Sequence, residues 1–265
     1  MRIDVYMTEH GLSESRSKAR AMIESGFVLI NGKRVKKPAQ EVCGGDTVTV
    51  TEQLKFVGRG GLKLLGALEA FSVDVTDAVC VDIGASTGGF TDCLLQHGAK
   101  RVYAVDSGTD QLHPSLKADS RVISMEKTNA RALTAESLGE RCDIAVMDVS
   151  FISQTLLFPA VKALLKDGGS LISLIKPQFE VTASQLGSNG ILRDQRARLR
   201  GVRRVIDQAC CHGLTALSLI QSPITGGDGN VEYLAHFVCG EIPEGKRELG
   251  ADAKELEEIC RGAHS

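Results

Sequence analysis

Val79-Cys80-Val81-Asp82-Ile83-Gly84-Ala85-Ser86-Thr87-Gly88-Gly89-Phe90 decides how this chain is read. Five strand-forming residues run into a glycine-rich turn, and the following TDCLLQH has its apolar residues at helical spacing. Glycines at that point let a ligand approach the backbone at the carboxyl end of a first strand, where open α/β sheets bind ligands. The spacing Gly84-x-x-x-Gly88-Gly89 departs from the dinucleotide fingerprint G-x-G-x-x-G, and no Lys-Ser/Thr pair makes a nucleoside-triphosphate loop.

Outward from that stretch, apolar runs alternate with helical ones. VCVDIG, RVYAVD, RVISME, CDIAVMD, SLISLIKP, LTALSLI and VEYLAHFVC read as strands, with helices predicted over 89–97, 155–166 and 192–211. Continuous apolar strands separated by helices imply a parallel sheet covered on both faces. The expected fold class is therefore α/β: a doubly wound, mostly parallel, Rossmann-like sheet. LTALSLI and VEYLAHFVC are joined by QSPITGGDGN with no helix between, so the last strand is expected antiparallel.

Polar residues gather at the carboxyl ends of these strands. Asp106 ends the second and is placed to accept both ribose hydroxyls of an adenosine-containing cofactor. Asn129, after the third, is placed to reach the adenine edge, and Asp148 ends the fourth. With Asp82, Gly84, Ser86, Gly88 and Phe90 from the turn, these form the candidate cofactor set. An adenosyl cofactor of a methyl-transferring enzyme suits this pattern better than a nicotinamide does.

The first 63 residues carry 11 Lys/Arg against 7 Asp/Glu, a balance of +4, leaving 20 against 26 for the rest of a chain whose net charge is -2. The basic end is also distinct in structure: a helix is predicted over 13–25, and FVLINGKRV and DTVTV read as short strands around Asn31-Gly32 and Gly44-Gly45-Asp46 turns. This gives a small α+β module over 1–50, a linker over 51–61, a catalytic domain over 62–240 and a charged tail over 241–265. None of the 8 cysteines shows Cys-x-x-Cys spacing, so a disulfide framework or zinc site is not expected. No apolar run approaches the ~20 residues of a membrane span, and the acidic N-terminus MRIDVYMTEHG is no signal peptide; a cytoplasmic protein without membrane or metal partners is expected.

Arg2-Ile3-Asp4, Ser15-Arg16, Ala19, Ile23, Gly26, Val28, Asn31-Gly32 and Gly45-Asp46 together resemble the small RNA-binding domain named after ribosomal small-subunit protein S-four. The resemblance implies that Arg2, Arg16, Lys18 and Arg20 lie towards RNA phosphates, with Arg59 nearby in the linker. Further on, GRGGLKL with Lys63, MDVSF with Asp148, IKPQFE with Lys176 and GNVEYL with Glu232 resemble the Lys-Asp-Lys-Glu tetrad of FtsJ-type ribose methyltransferases. Head, linker and tetrad combined are similar to the TlyA, or hemolysin A, family. That resemblance implies 2'-O-methylation of cytidine in ribosomal RNA, with S-adenosyl-L-methionine as donor and ribosomal RNA or subunits as partners. One departure is Gly58, where a serine is common in the family.

The residue types suit the chemistry. A ribose hydroxyl is a very weak acid, so its attack on a sulfonium methyl needs alignment together with a base or a cation at the developing alkoxide. Lys176 is expected at that oxygen, as proton acceptor or as fixed charge, with Asp148 holding it and Lys63 and Glu232 as an outer pair placing the ribose. Three alternatives remain open: an idle RNA-binding assembly factor, a membrane-lytic hemolysin, and a small-molecule methyltransferase, which would leave the basic amino-terminal module without a purpose. Arg193, Arg196, Arg200 and Arg203 recur at helical spacing and read equally as an RNA-facing stripe or as a solvated face paired with acids.

Overall fold

The computed structural model describes residues 1–24, 26–35, 37–50, 55–187, 189–226, 229–249 and 253–261. Part of the expected linker, 51–54, and parts of the tail, 250–252 and 262–265, lie outside the described residues.

At the amino-terminal end, α1 (Ile3–Glu9) and α2 (Arg16–Glu24) pack on a three-stranded antiparallel sheet of β1 (Val28–Ile30), β2 (Lys33–Arg34) and β3 (Val48–Val50), ordered β2-β1-β3. Ile3, Met7, Ala19, Met22, Ile23 and Val28 close a small core of their own. The predicted helix over 13–25 begins at Arg16 because Ser15, not Ser13, offers its Oγ to the Lys18 amide at 3.2 Å. Sequence reading did not announce α1. Its N-cap Arg2 makes no capping bond, and the helix is fixed from outside, by Ile3 N–H donating to Gln40 O at 2.8 Å and by burial of Ile3 and Met7 one turn apart.

Next come α3 (Gly60–Phe71), β4 (Val79–Ile83), α4 (Gly89–Gln96), β5 (Arg101–Val105), α5 (Pro114–Lys117), β6 (Val122–Met125), α6 (Ala135–Leu138), β7 (Cys142–Met147), α7 (Phe158–Leu164) and β8 (Leu165–Ile175). They are followed by α8 (Gln195–Cys211), β9 (Leu214–Gln221), β10 (Tyr233–Cys239) and α9 (Ala253–Arg261). The seven strands from β4 on form one sheet ordered β6-β5-β4-β7-β8-β10-β9. β6 through β8 pair in parallel, and β10 runs antiparallel to both its neighbours, as the helix-free connection implied.

All five residues of β4 are buried, and large apolar cores cover both sheet faces. Each fully buried Leu or Phe there contributes about 1.5–3 kcal/mol. α3 takes its first two residues from the stretch read as linker. The double glycine looks like a turn in sequence, yet here it lets two helices meet closely: a Cβ on Gly61 would lie 2.3 Å from the Phe56 ring, and one on Gly89 would lie 3.0 Å from Gly61 N. Crossing from strand to helix after β4, β5, β7 and β8 leaves all four strand ends on one rim, which is where the polar residues gather.

Candidate active site

Two adjoining hollows open on that rim. The larger, about 640 Å³, is walled by Gly84, Ser86, Asp106, Asn129, Asp148 and Phe151 among others; the smaller, about 250 Å³, by Gly60, Thr87, Phe90, Asp148, Ser150 and Lys176 among others. Gly84, Ser86, Asp148 and Ser150 belong to both, so the two are continuous. The turn between them is stitched down by Gly84 and Ala85 amides donating to Val105 O at 2.9 and 3.0 Å. Gly84 has φ of +87°, and a Cβ there would lie 2.4 Å from Asp148 O, so only glycine passes.

At the larger hollow, Asp106 Oδ2 accepts from the Ser86 amide at 2.8 Å and Oδ1 from the Gly108 amide at 2.7 Å. A carboxylate has about four lone-pair sites, so each oxygen of this rigidly held group retains one. Asn129 Oδ1 accepts from the Arg131 amide at 3.1 Å, which leaves its NH₂ group to offer a ligand. Ser86 and Phe151 are both left-handed without being glycine, φ +49° and +63°, and both line this hollow; such strain collects at functional sites.

Two of the expected cofactor residues do not reach the wall. Asp82 is fully buried behind it, accepting from Thr91 Oγ1 at 2.7 Å through Oδ2, while Oδ1 has no hydrogen-bond partner. Burial pushes its carboxyl up to about 7, helped by the charge of Asp148 and opposed by the Thr91 bond. Gly88 makes the turn with φ of +95° but faces Leu112 and Leu116. Phe90 does line the smaller hollow, its ring 3.2 Å from where a Gly60 Cβ would stand.

The tetrad divides into two pairs. Lys176 Nζ lies 2.6 Å from Asp148 Oδ1 and donates to Ser150 Oγ at 2.7 Å, with 12% of the lysine side chain exposed. Pro177 follows it, favouring extended backbone at Lys176, whose φ and ψ are -110° and 91°, and this ends β8 over the hollow. Lys63, one turn along α3 from Gly60, donates to Glu232 Oε2 at 2.6 Å in a buried pair. Lys63 and Glu232 are not among the described residues lining the smaller hollow; they tie α3 to the residue just ahead of β10.

Sequence reasoning missed the frame around Lys176. Glu180, 3% exposed, accepts from Ser153 Oγ at 2.6 Å and from the Gln154 amide at 2.9 Å, and the buried Gln154 Oε1 accepts from Ser173 on β8. Burial raises the Glu180 carboxyl, against the Ser153 and Gln154 bonds. The segment 176–180 thus grips the loop 148–154 at both ends, with Phe151 standing 92% exposed between the grips and its ring 5.3 Å from that of Phe179. The glutamate of IKPQFE was the available signal; the exposure of Phe151 has none in a single sequence.

In the head, Asp4 is fully buried and receives three arginines: Arg2 at 3.0 Å, Arg16 at 3.2 Å and Arg20 at 3.2 Å, each about half exposed. Burial alone would raise the Asp4 carboxyl, but the three guanidinium bonds outweigh it and hold it at about 2. Lys18 stands apart, paired to Glu14 at 2.9 Å. Arg16 and Arg20 line a cleft of about 460 Å³ with Gly58, Arg59 and Thr87, and Arg59 donates to Thr225 O at 3.1 Å. Among the described residues, no three His, Cys, Asp or Glu side chains could hold a metal ion, and no helix is long and apolar enough to cross a membrane.

Residues 56–239 match the model of the FtsJ-like methyltransferase family, and residues 1–48 match the S4 domain. The chain is 42% identical to YqxC of Bacillus subtilis, a protein provisionally described as an rRNA methyltransferase, over 99% of this chain and 94% of that one. It is likewise 42% identical to the 16S/23S rRNA (cytidine-2'-O)-methyltransferase TlyA of Mycobacterium tuberculosis, over 88% and 87%. A solved structure from Streptococcus thermophilus, provisionally described as a hemolysin, superposes with a TM-score of 0.78 at 41% identity, covering 100% of this chain and 95% of that one.

Proposed function

Because this chain belongs to the FtsJ-like methyltransferase family and carries an S4 domain ahead of that fold, we propose that it methylates the 2'-hydroxyl of a cytidine ribose in ribosomal RNA with S-adenosylmethionine as donor. The observation that carries this reading is the position of Lys176, on the wall of the smaller hollow and against Asp148 and Ser150, which line both hollows. Relatives named for cytidine 2'-O-methylation support the choice of nucleoside.

The larger hollow suits an adenosyl group: it lies within the ~300–1,000 Å³ of small-molecule sites, and Asp106 keeps lone pairs for ribose hydroxyls where Asn129 offers NH₂ to a base edge. S-adenosylmethionine supplies, when bound, a methyl group on a positively charged sulfur. Gly84 and Ser86 let it lie against the backbone, while Asp82 and Gly88 shape the turn from behind.

Lys176 acts on the other reactant. Its Nζ donates to Ser150 Oγ and lies beside the Asp148 carboxylate, and a remaining hydrogen meets the 2'-oxygen as negative charge builds there; the hydroxyl proton passes to water as the oxygen–carbon bond forms and the sulfur–methyl bond breaks. Lys63 and Glu232 place α3, and with it Gly60, against the ribose side of the hollow. Phe151 offers an exposed ring at the entrance on which a base can stack. Arg2, Arg16 and Arg20 take RNA phosphates in the head; Lys18, engaged with Glu14, and Arg59, engaged with Thr225, contribute less. The substrate places the protein with ribosomal subunits in the cytoplasm.

The test is transfer of labelled methyl from S-adenosylmethionine to subunits isolated from cells lacking this protein. Incorporation that survives alkaline hydrolysis as a 2'-O-methylated dinucleotide is expected from wild type and not from Lys176→Met. Tight RNA binding by wild type with no incorporation would return the chain to the assembly-factor reading.

A further inference from the structure

The arginine stripe of α8 was left undecided by sequence, and among the described residues few of its arginines meet an acid. Arg193, just ahead of α8, and Arg196, Arg200, Arg203 and Arg204 on it are exposed, and Arg198 on the same helix is buried. A face whose charges are matched by acids would show ion pairs. Among the described residues only Arg200 meets a carboxylate, Asp194 at 4.0 Å with both side chains more than half exposed. Arg193, Arg196 and Arg203 have no acidic partner there, and Arg204 spends one donor on the Glu180 carbonyl at 3.2 Å.

α8 starts at the rim of the sheet that holds the active site, because it follows β8 and runs back antiparallel to it. It also touches the element that carries Lys176. A Cβ on Gly201 would stand 3.3 Å from Pro177, so the helix lies directly on the turn after the lysine. The head's Asp4 cluster is on the other flank, its Arg16 and Arg20 facing Thr87 beyond the glycine turn.

We propose that the exposed face of α8, through Arg196, Arg200 and Arg203, is a second RNA-phosphate surface, flanking the active site opposite the head. Successive arginines on it are about 4.5–6 Å apart along the axis, and exposed guanidiniums suit phosphate geometry. Substrate RNA then lies across Lys176 with a grip on either side, and the far grip bears on the lysine's own segment. This inference rests on the ribosomal RNA reading above and extends it to a named surface.

The experiment compares full-length wild type, Arg196→Gln/Arg200→Gln/Arg203→Gln, and a control of equal charge loss at the opposite end of the sheet, Lys100→Gln/Arg141→Gln/Lys166→Gln. Binding of 16S and 23S ribosomal RNA transcripts is followed from 50 to 200 mM salt. Losing three phosphate contacts makes the slope of log affinity against log salt shallower by about 2, and affinity at 50 mM salt is expected to fall about tenfold. The control is expected to keep the wild-type slope. An unchanged slope in the α8 variant, or an equal change in the control, overturns the surface. Methyl incorporation by wild type on the same RNA, or on intact subunits, decides the underlying reading separately, since the slope is read from binding alone.

Discussion

The head and the active site both hold cations on carboxylates, in opposite proportions. In the head, one buried carboxylate, Asp4, organises three arginines and displays them about half exposed, so the cluster keeps a surplus of two positive charges. At the candidate active site, carboxylate and lysine are matched one to one, Asp148 with Lys176 and Glu232 with Lys63, and the lysine side chains are about a tenth exposed. Surplus charge at a surface attracts a polyanion and works at a distance of about one Debye length, ~8 Å at physiological salt. A matched, enclosed pair attracts little from afar; what it provides is a fixed nitrogen at a fixed place. Under the proposed function, the same two residue chemistries make a grip in one region and a tool in the other.

The sharpest way to break that contrast is to unpair an enclosed cation. Lys63→Ala or Glu232→Ala strands a buried charge and is expected to cost about 3–5 kcal/mol, a fall in Tm on the order of 10 °C by calorimetry. Lys63→Met/Glu232→Gln, which leaves no buried charge, is expected to recover most of the Tm and none of the methyl transfer. A change below about 2 °C in the single variants would mean the pair is not enclosed in solution.

Glu180 tests whether the tool needs its frame. Glu180→Gln keeps the volume but loses one of two acceptors, leaving the Ser153 hydroxyl or the Gln154 amide unsatisfied at about 1–2 kcal/mol. The expected outcome is a roughly tenfold lower kcat with little change in RNA affinity; a loss confined to RNA affinity would move Glu180 from positioning Lys176 to binding.

Acid should loosen the grip at a pH set by Asp4. Its folded pKa of about 2 lies below the unfolded value of 3.8, so the stabilisation is complete above about pH 4 and is lost as pH falls towards 2. The amount is on the order of 1–2 kcal/mol, allowing for the solvent around the half-exposed arginines. Subtracting the urea stability of Asp4→Asn from that of wild type across pH 2–6 isolates it, and a flat difference would contradict the cluster. Smallest of all, Arg16→Gln alone should make the RNA salt slope shallower by ~0.7–0.9.

Most of the sheet was legible because β4, β5, β7 and β8 are buried on both faces and so read as unbroken apolar runs. The antiparallel last strand followed from the helix-free link before it. What escaped was fixed by distant contacts: α1 depends on Gln40, and the Gly60-Gly61 start of α3 on Phe56 and Gly89. At the candidate site, position at a strand end singled out Asp106 and Asp148, and resemblance to the tetrad singled out Lys176; the structure brings Asp148 and Lys176 to one hollow. The convergence of Arg2, Arg16 and Arg20 on Asp4 was not legible, since sequence spacing says nothing of a residue ahead of α1 and two residues of α2 meeting one carboxylate. Nor could spacing distinguish Asp82, behind the wall, from Ser86, on it.

Steady-state methyl transfer to ribosomal subunits tests the division between grip and tool most directly, with wild type, Lys176→Met and Arg16→Gln/Arg20→Gln compared side by side. Lys176→Met is expected to lose about 10²–10³-fold in kcat with KM for the subunit unchanged, and the arginine variant to raise KM with kcat intact. A Lys176 variant with wild-type kcat, or an arginine variant that loses kcat at saturating subunit, would contradict it.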